Sequence, residues 1–187
     1  MTCKENIKLV KNREQINKNI NILNRDILKF DIEKICKKNS AIFGNLPYNI
    51  SSQILVKILN FKSWPPDFND LVFMFQKELG EKIIGKFNTS NYGRLSILSN
   101  LRLNVINKFN VSPNCFMPKP KVTSMVIHFQ PKLKSPIKIK NIKNLENITN
   151  IFFSNKRKMI NKNIKKVLSG KKIKKINNLN LQNRPSE

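Results

Sequence analysis

The segment Gly44-Asn45-Leu46-Pro47-Tyr48-Asn49-Ile50-Ser51 combines an amide, a proline and an aromatic where a β-prone run hands over to a helix-prone one. That set suits alkylation of the exocyclic amine of a nucleobase. Such a site must accept hydrogen bonds from the amine, keep its lone pair toward the electrophile, and clamp the ring by stacking. The Asn45 side-chain oxygen and the Leu46 carbonyl can accept, Pro47 fixes the turn, and Tyr48 offers a ring face. Neither an acid nor a metal is required. Taken alone, Asn45 to Tyr48 fit a plain turn with a buried aromatic equally well.

Other chemistries find little support. Cys3, Cys36 and Cys115 lie far apart with no Cys-x-x-Cys pair, and the single His128 cannot complete a Cys/His metal set. No metal and no disulfide framework are expected. The three thiols read as those of an intracellular, reduced protein, cytoplasmic or in an organellar matrix. Met1-Thr2-Cys3-Lys4-Glu5 opens no secretory signal, and no apolar run approaches the roughly 20 residues that span a bilayer. The 187 residues carry 36 Lys+Arg against 11 Asp+Glu, a net charge of +25. With 30 Lys, 29 Asn and 25 Ile, part of that basicity follows A/T-rich codon use. A field of this sign still attracts polyanions, so a nucleic acid partner is expected and a membrane surface is not.

The elements that must position these residues follow from the apolar pattern. Asn19–Leu23 and Ser40–Phe43 are β-prone runs, each closed by polar or turn residues, as strands end at a ligand crevice. Ile27 to Ile35 suit a helical or irregular crossover. From Ser51 the spacing predicts a helix with Ser51 as its N-cap, broken by Trp64-Pro65-Pro66. Asp70–Phe75 reads as a strand buried on both faces, and Gln76–Phe87 as a helix. Leu101–Phe109 and Ser124–Phe129 are β-prone and would close the sheet antiparallel at one edge. The expected fold class is therefore α/β, a doubly wound sheet spanning 1–131. A basic linker over 132–143 and one or two amphipathic helices within 144–187 would follow it.

Longer blocks around the first motif carry a resemblance. Phe43-Gly44-Asn45-Leu46-Pro47-Tyr48-Asn49-Ile50-Ser51-Ser52, Phe75-Gln76-Lys77-Glu78, Asn91-Tyr92-Gly93-Arg94-Leu95-Ser96 and Phe116-Met117-Pro118-Lys119-Pro120-Lys121-Val122-Thr123-Ser124 occur in that order. Phe152-Phe153-Ser154-Asn155-Lys156-Arg157-Lys158-Met159-Ile160 and Asn183-Arg184-Pro185 complete the series. The chain resembles the ribosomal RNA adenine N6,N6-dimethyltransferases of the small subunit, the KsgA family. The resemblance implies a Rossmann-like S-adenosylmethionine-dependent methyltransferase sheet with a small C-terminal helical domain. It also implies two successive methyl transfers to adenine N6 in small-subunit ribosomal RNA or a pre-ribosomal particle, by a monomer.

On matching positions, the resemblance makes Asn45, Leu46, Pro47 and Tyr48 the catalytic motif, and Tyr48 with Phe116 the clamp on the target base. Asp26, the Ile27 backbone and Asn45 would bind cofactor, and Lys156, Arg157 and Lys158 would contact RNA. Without the resemblance, Asp26 reads as a helix N-cap, Phe116 as core, and the three basic residues as a solvated helix face. The family's glycine-rich loop after its first strand has no counterpart among Gly44, Gly80, Gly85, Gly93 and Gly170. The first βα unit is therefore expected to be missing, the end slightly short, and the S-adenosylmethionine site incomplete. Two rivals stay open: a catalytically inactive RNA-binding or ribosome-assembly protein derived from the family, and a large-subunit methyltransferase.

Overall fold

The computed structural model describes residues 19–134, 139, 141–155, 159–167 and 182–185, and the chain divides into two compact units, Met1–Ile32 and Glu33–Glu187. In the first unit, 20–26 form no strand, contrary to the expectation for Asn19–Leu23. A β-prone run becomes a strand only within a ladder, and these residues are not among the four strands of the sheet. A turn follows over 27–29.

The second unit is built on a four-stranded sheet: β1 (Ser40–Asn45), β2 (Phe68–Gln76), β3 (Leu103–Val111) and β4 (Ser124–Pro131), in the order β1-β2-β4-β3. β1 runs parallel to β2, and β4 is antiparallel to both β2 and β3. The expected antiparallel closure is thus present. The helices are α1 (Ser51–Leu59), α2 (Lys77–Ile83), α3 (Arg94–Arg102), α4 (Ile142–Phe153) and α5 (Ile160–Val167).

One sheet face makes the core. Leu71, Phe73 and Phe75 of β2 and Met125, Ile127 and Phe129 of β4 are buried on it, with Leu55, Ile58, Ile83 and Leu98 from the helices. α2 lies close against this layer, since a Cβ on Gly80 would come within 2.9 Å of the Met125 sulfur. β2 is therefore buried on one face and not both. The opposite face carries Asp70, Val72, Met74 and Gln76, all half-buried. Register sets rows across that second face: Asn45, Met74, Val126 and Phe109 in one, Phe43, Val72, His128 and Asn107 in the next. Phe43, 75% exposed, and Phe109, 57% exposed, stand at the two edges.

Three helices differ from their sequence reading. α1 begins with Ser51 as its first helical residue, and the Ser51 hydroxyl donates to the Tyr48 carbonyl at 3.1 Å in place of capping the helix. α1 ends at Leu59, well before Trp64-Pro65-Pro66, and α2 stops at Ile83. α3 is absent from the sequence reading because its buried positions include Ser96 and Ser99, which dilute the apolar stripe. Of the one or two helices expected after the linker, two are present, α4 and α5, and α4 begins at Ile142, within the expected linker.

Candidate active site

β1 ends at Asn45 and the chain turns through Leu46-Pro47-Tyr48 into α1, with the Ile50 amide donating to the Pro47 carbonyl at 3.2 Å. The turn is tight against the core: a Cβ on Gly44 would fall 2.8 Å from the buried Phe73 ring. Glycine at this position lets the strand end pass directly over that ring. Asn45 is exposed, Leu46 half-buried, Pro47 exposed and Tyr48 half-buried. A polar, reachable acceptor therefore stands beside a sheltered aromatic ring at the carboxyl end of a parallel strand, where open α/β sheets bind ligands.

The Tyr48 hydroxyl lies 2.6 Å from the hydroxyl of Ser124, the first residue of β4, which is fully buried. Ser124 is in register with Gln76 on one side and Val111 on the other. The Lys77 amide donates to the Thr123 carbonyl at 2.9 Å, closing the junction between β2 and α2. Tyr48 is thus tied at its backbone by Ser51 and at its ring by Ser124. Nothing in the sequence marks the second tie, because only strand register brings together residues 76 apart.

Phe116 is half-buried and follows a single 3-10 turn, Pro113–Cys115, in the loop that enters β4 at Ser124. In the first unit, the Asp26 carboxylate accepts from the Leu28 amide at 2.9 Å, and its carbonyl accepts from Lys29 and Phe30. Asp26 is exposed and caps a turn, with Ile27 half-buried beside it. Lys156, Arg157 and Lys158 lie outside the described residues.

Three further features escape the sequence reading. Asp70 Oδ1 sits 2.7 Å from His128 Nε2 and 3.0 Å from Gln130 Nε2. Hydrogen bonds from Gln130 and His128 hold its carboxyl below the usual carboxylate range. A groove of about 750 Å³ beside this trio is lined by Pro65, Asn69, Asn104 and Lys132, at the end of the sheet away from Asn45. Glu146 of α4 accepts from Arg94 at 2.5 Å and from Asn60 at 3.1 Å, joining α4 to α3 and to the end of α1. Burial, with Asp67 and Glu33 nearby, pushes the Cys36 thiol up, away from the reactive thiolate. Among the described residues no group of His, Cys, Asp or Glu could hold a metal, and no helix is long and apolar enough to cross a membrane.

A sheet with this strand order, and an Asn-Leu-Pro-Tyr turn at the end of a parallel strand, place the chain among the Rossmann-like methyltransferases. The structure of ErmE, a 23S rRNA methyltransferase, shares that fold with a TM-score of 0.58 at 20% identity, covering 89% of this chain and 65% of that one. A dimethyladenosine transferase from Plasmodium falciparum matches with a TM-score of 0.69 at 33% identity, over 83% of this chain and 54% of that one. The chain belongs to the ribosomal RNA adenine dimethylase family, whose model matches residues 6–185. It is 46% identical over 177 residues to the ribosomal RNA small subunit methyltransferase A of Pelagibacter ubique, covering 92% of this chain and 66% of that relative. The protein of the same name from Rhizobium etli is 40% identical over 147 residues, covering 78% of this chain and 53% of the relative. The chain therefore spans between about half and two thirds of the length of these relatives.

Proposed function

We propose that the chain acts as an S-adenosylmethionine-dependent methyltransferase that dimethylates adenine N6 in small-subunit ribosomal RNA, within ribosome biogenesis. The observation that carries this reading is the Asn45–Tyr48 turn, with an exposed amide and a tyrosine held at its backbone by Ser51 and at its hydroxyl by Ser124. Family membership and the names of the relatives support the substrate class and disfavour the non-catalytic alternative.

When bound, S-adenosylmethionine supplies a methyl group already electrophilic on a sulfonium, which calls for no acid and no metal. Of the residues assigned to it, Asn45 presents an exposed amide oxygen at the strand end of the second unit, and Asp26 an exposed carboxylate within the first; they supply part of the expected site. Asp26 would accept from the cofactor's adenine amine, with the Ile27 backbone alongside. Asn45 Oδ1 and the Leu46 carbonyl would accept the two N–H groups of the target amine, turning the N6 lone pair out of the ring plane toward the transferred carbon. Tyr48 and Phe116 would cover the two faces of the base. A proton leaves N6 to solvent after each transfer. Residues 1–131 would carry this chemistry. Residues 144–187, reached through basic 132–143, would bind RNA with Lys156, Arg157 and Lys158.

Methyl incorporation into small-subunit ribosomal RNA, measured beside RNA affinity, tests the assignment. Asn45→Ala is expected to lower turnover roughly tenfold or more and leave RNA affinity within about twofold, because the amide acts on the transfer geometry. Transfer at the parental rate by Asn45→Ala would refute the site. RNA binding without any incorporation by the unaltered chain would put the RNA-binding alternative in its place.

A further inference from the structure

We infer that Ser124 is a positioning residue for base capture: through its hydroxyl it holds the Tyr48 ring in place. This inference rests on the proposed stacking role of Tyr48 and adds to it a residue outside the Asn45–Tyr48 motif. A tyrosine whose backbone alone is held retains rotation about χ1 and χ2. The Ser51 bond to the Tyr48 carbonyl anchors only the backbone, at 3.1 Å. The bond between the Tyr48 and Ser124 hydroxyls, at 2.6 Å, fixes χ1 by anchoring the far end of the ring, and it biases χ2 because a phenol hydroxyl hydrogen-bonds near the plane of its ring.

The anchor itself is rigid. Ser124 has no exposed surface and pairs with β2 at Gln76 and with β3 at Val111. Removing either hydroxyl takes from the other the partner it has here, and frees the ring to leave the stacking geometry. Ser124 also begins the strand that follows the loop carrying Phe116. A buried serine needed only for packing would be satisfied by any local carbonyl. Here the partner lies across the sheet, in the motif itself.

The test uses the full chain and a hairpin RNA with 2-aminopurine in its single-stranded loop, whose fluorescence falls when an aromatic stacks on it. Tyr48→Phe and Ser124→Ala are each expected to reduce the quenching at saturation, and to lower the turnover of methyl transfer by about five- to tenfold. The Michaelis constant for RNA should change little, the thermal midpoint should fall by no more than several degrees, and the double variant should be no worse than either single one. Tyr48→Phe keeps the ring, so it tests the tie even where Ser124→Ala folds poorly. Additive losses, or full quenching and turnover in Tyr48→Phe while Tyr48→Ala loses both, would overturn the tie and leave the stacking role standing. Unchanged quenching and turnover in Tyr48→Ala would remove the stacking role, and the tie with it.

Discussion

Two side-chain contacts, at opposite ends of the β2–β4 ladder, fix groups that the backbone alone would leave free. At one end Ser124 holds Tyr48; at the other, Asp70 accepts from Gln130 and His128. The Asp70 carboxyl has its pKa lowered by those bonds, so it favours the ionised form in the folded chain. A depressed carboxyl adds stability above its unfolded value, about pH 4, and loses it as pH falls through the lower folded value. Asp70→Asn should therefore be less stable than the parent at neutral pH, with the gap narrowing below about pH 4. Urea midpoints measured from pH 7 to pH 2 check this, and a gap independent of pH would dismiss the ionic account. At this scale the sequence singles out Asn45 and Tyr48 through their types and spacing, and Phe116 only through the resemblance. It conceals Ser124 and Asp70, because their partners come from register between strands far apart in the chain.

At the scale of elements, the helix α4 is held to the rest of the second unit by Glu146. Its carboxylate, 23% exposed, takes bonds from Arg94 of α3 and from Asn60 beyond α1, and the Tyr92 and Phe153 rings meet edge-on at 6.1 Å nearby. Arg94 Nε is buried without a partner, so the guanidinium depends on Glu146 and on the Asn150 side-chain oxygen. Glu146→Ala should cost about 1–2 kcal/mol, discounted for partial exposure, and should speed proteolysis within 142–155. Equal denaturation midpoints and equal cleavage rates would show that α4 docks by apolar contact alone. The helices α1, α4 and α5 were legible from apolar spacing. α3 was not, since its inward positions are partly serine, and the strand expected at Asn19–Leu23 failed because β propensity alone does not place a run in a ladder.

For the molecule as a whole, the +25 charge creates an attraction to RNA that exists before any specific contact forms. Field and contact are separable by the salt dependence of binding, since each phosphate neutralised adds about 0.7 to 0.9 to the slope of log affinity against log salt. Reversing Lys156, Arg157 and Lys158 to Glu removes six charges, taking +25 to +19. Reversing Lys37, Lys38 and Lys62, exposed residues near the amino end of β1, removes the same number. If the first trio contacts phosphates, its reversal should lower the slope by about 2–3, whereas the second should weaken binding modestly and leave the slope within about 1 of the parent. Composition makes the attraction plain but cannot distribute it, because 30 lysines spread along the chain give every segment some basic character. Filter binding of small-subunit ribosomal RNA fragments across a salt series reads both quantities together. Equal slopes for the two trios would mean that RNA is held by the field of the entire chain, and that the segment 156–158 makes no contact of its own.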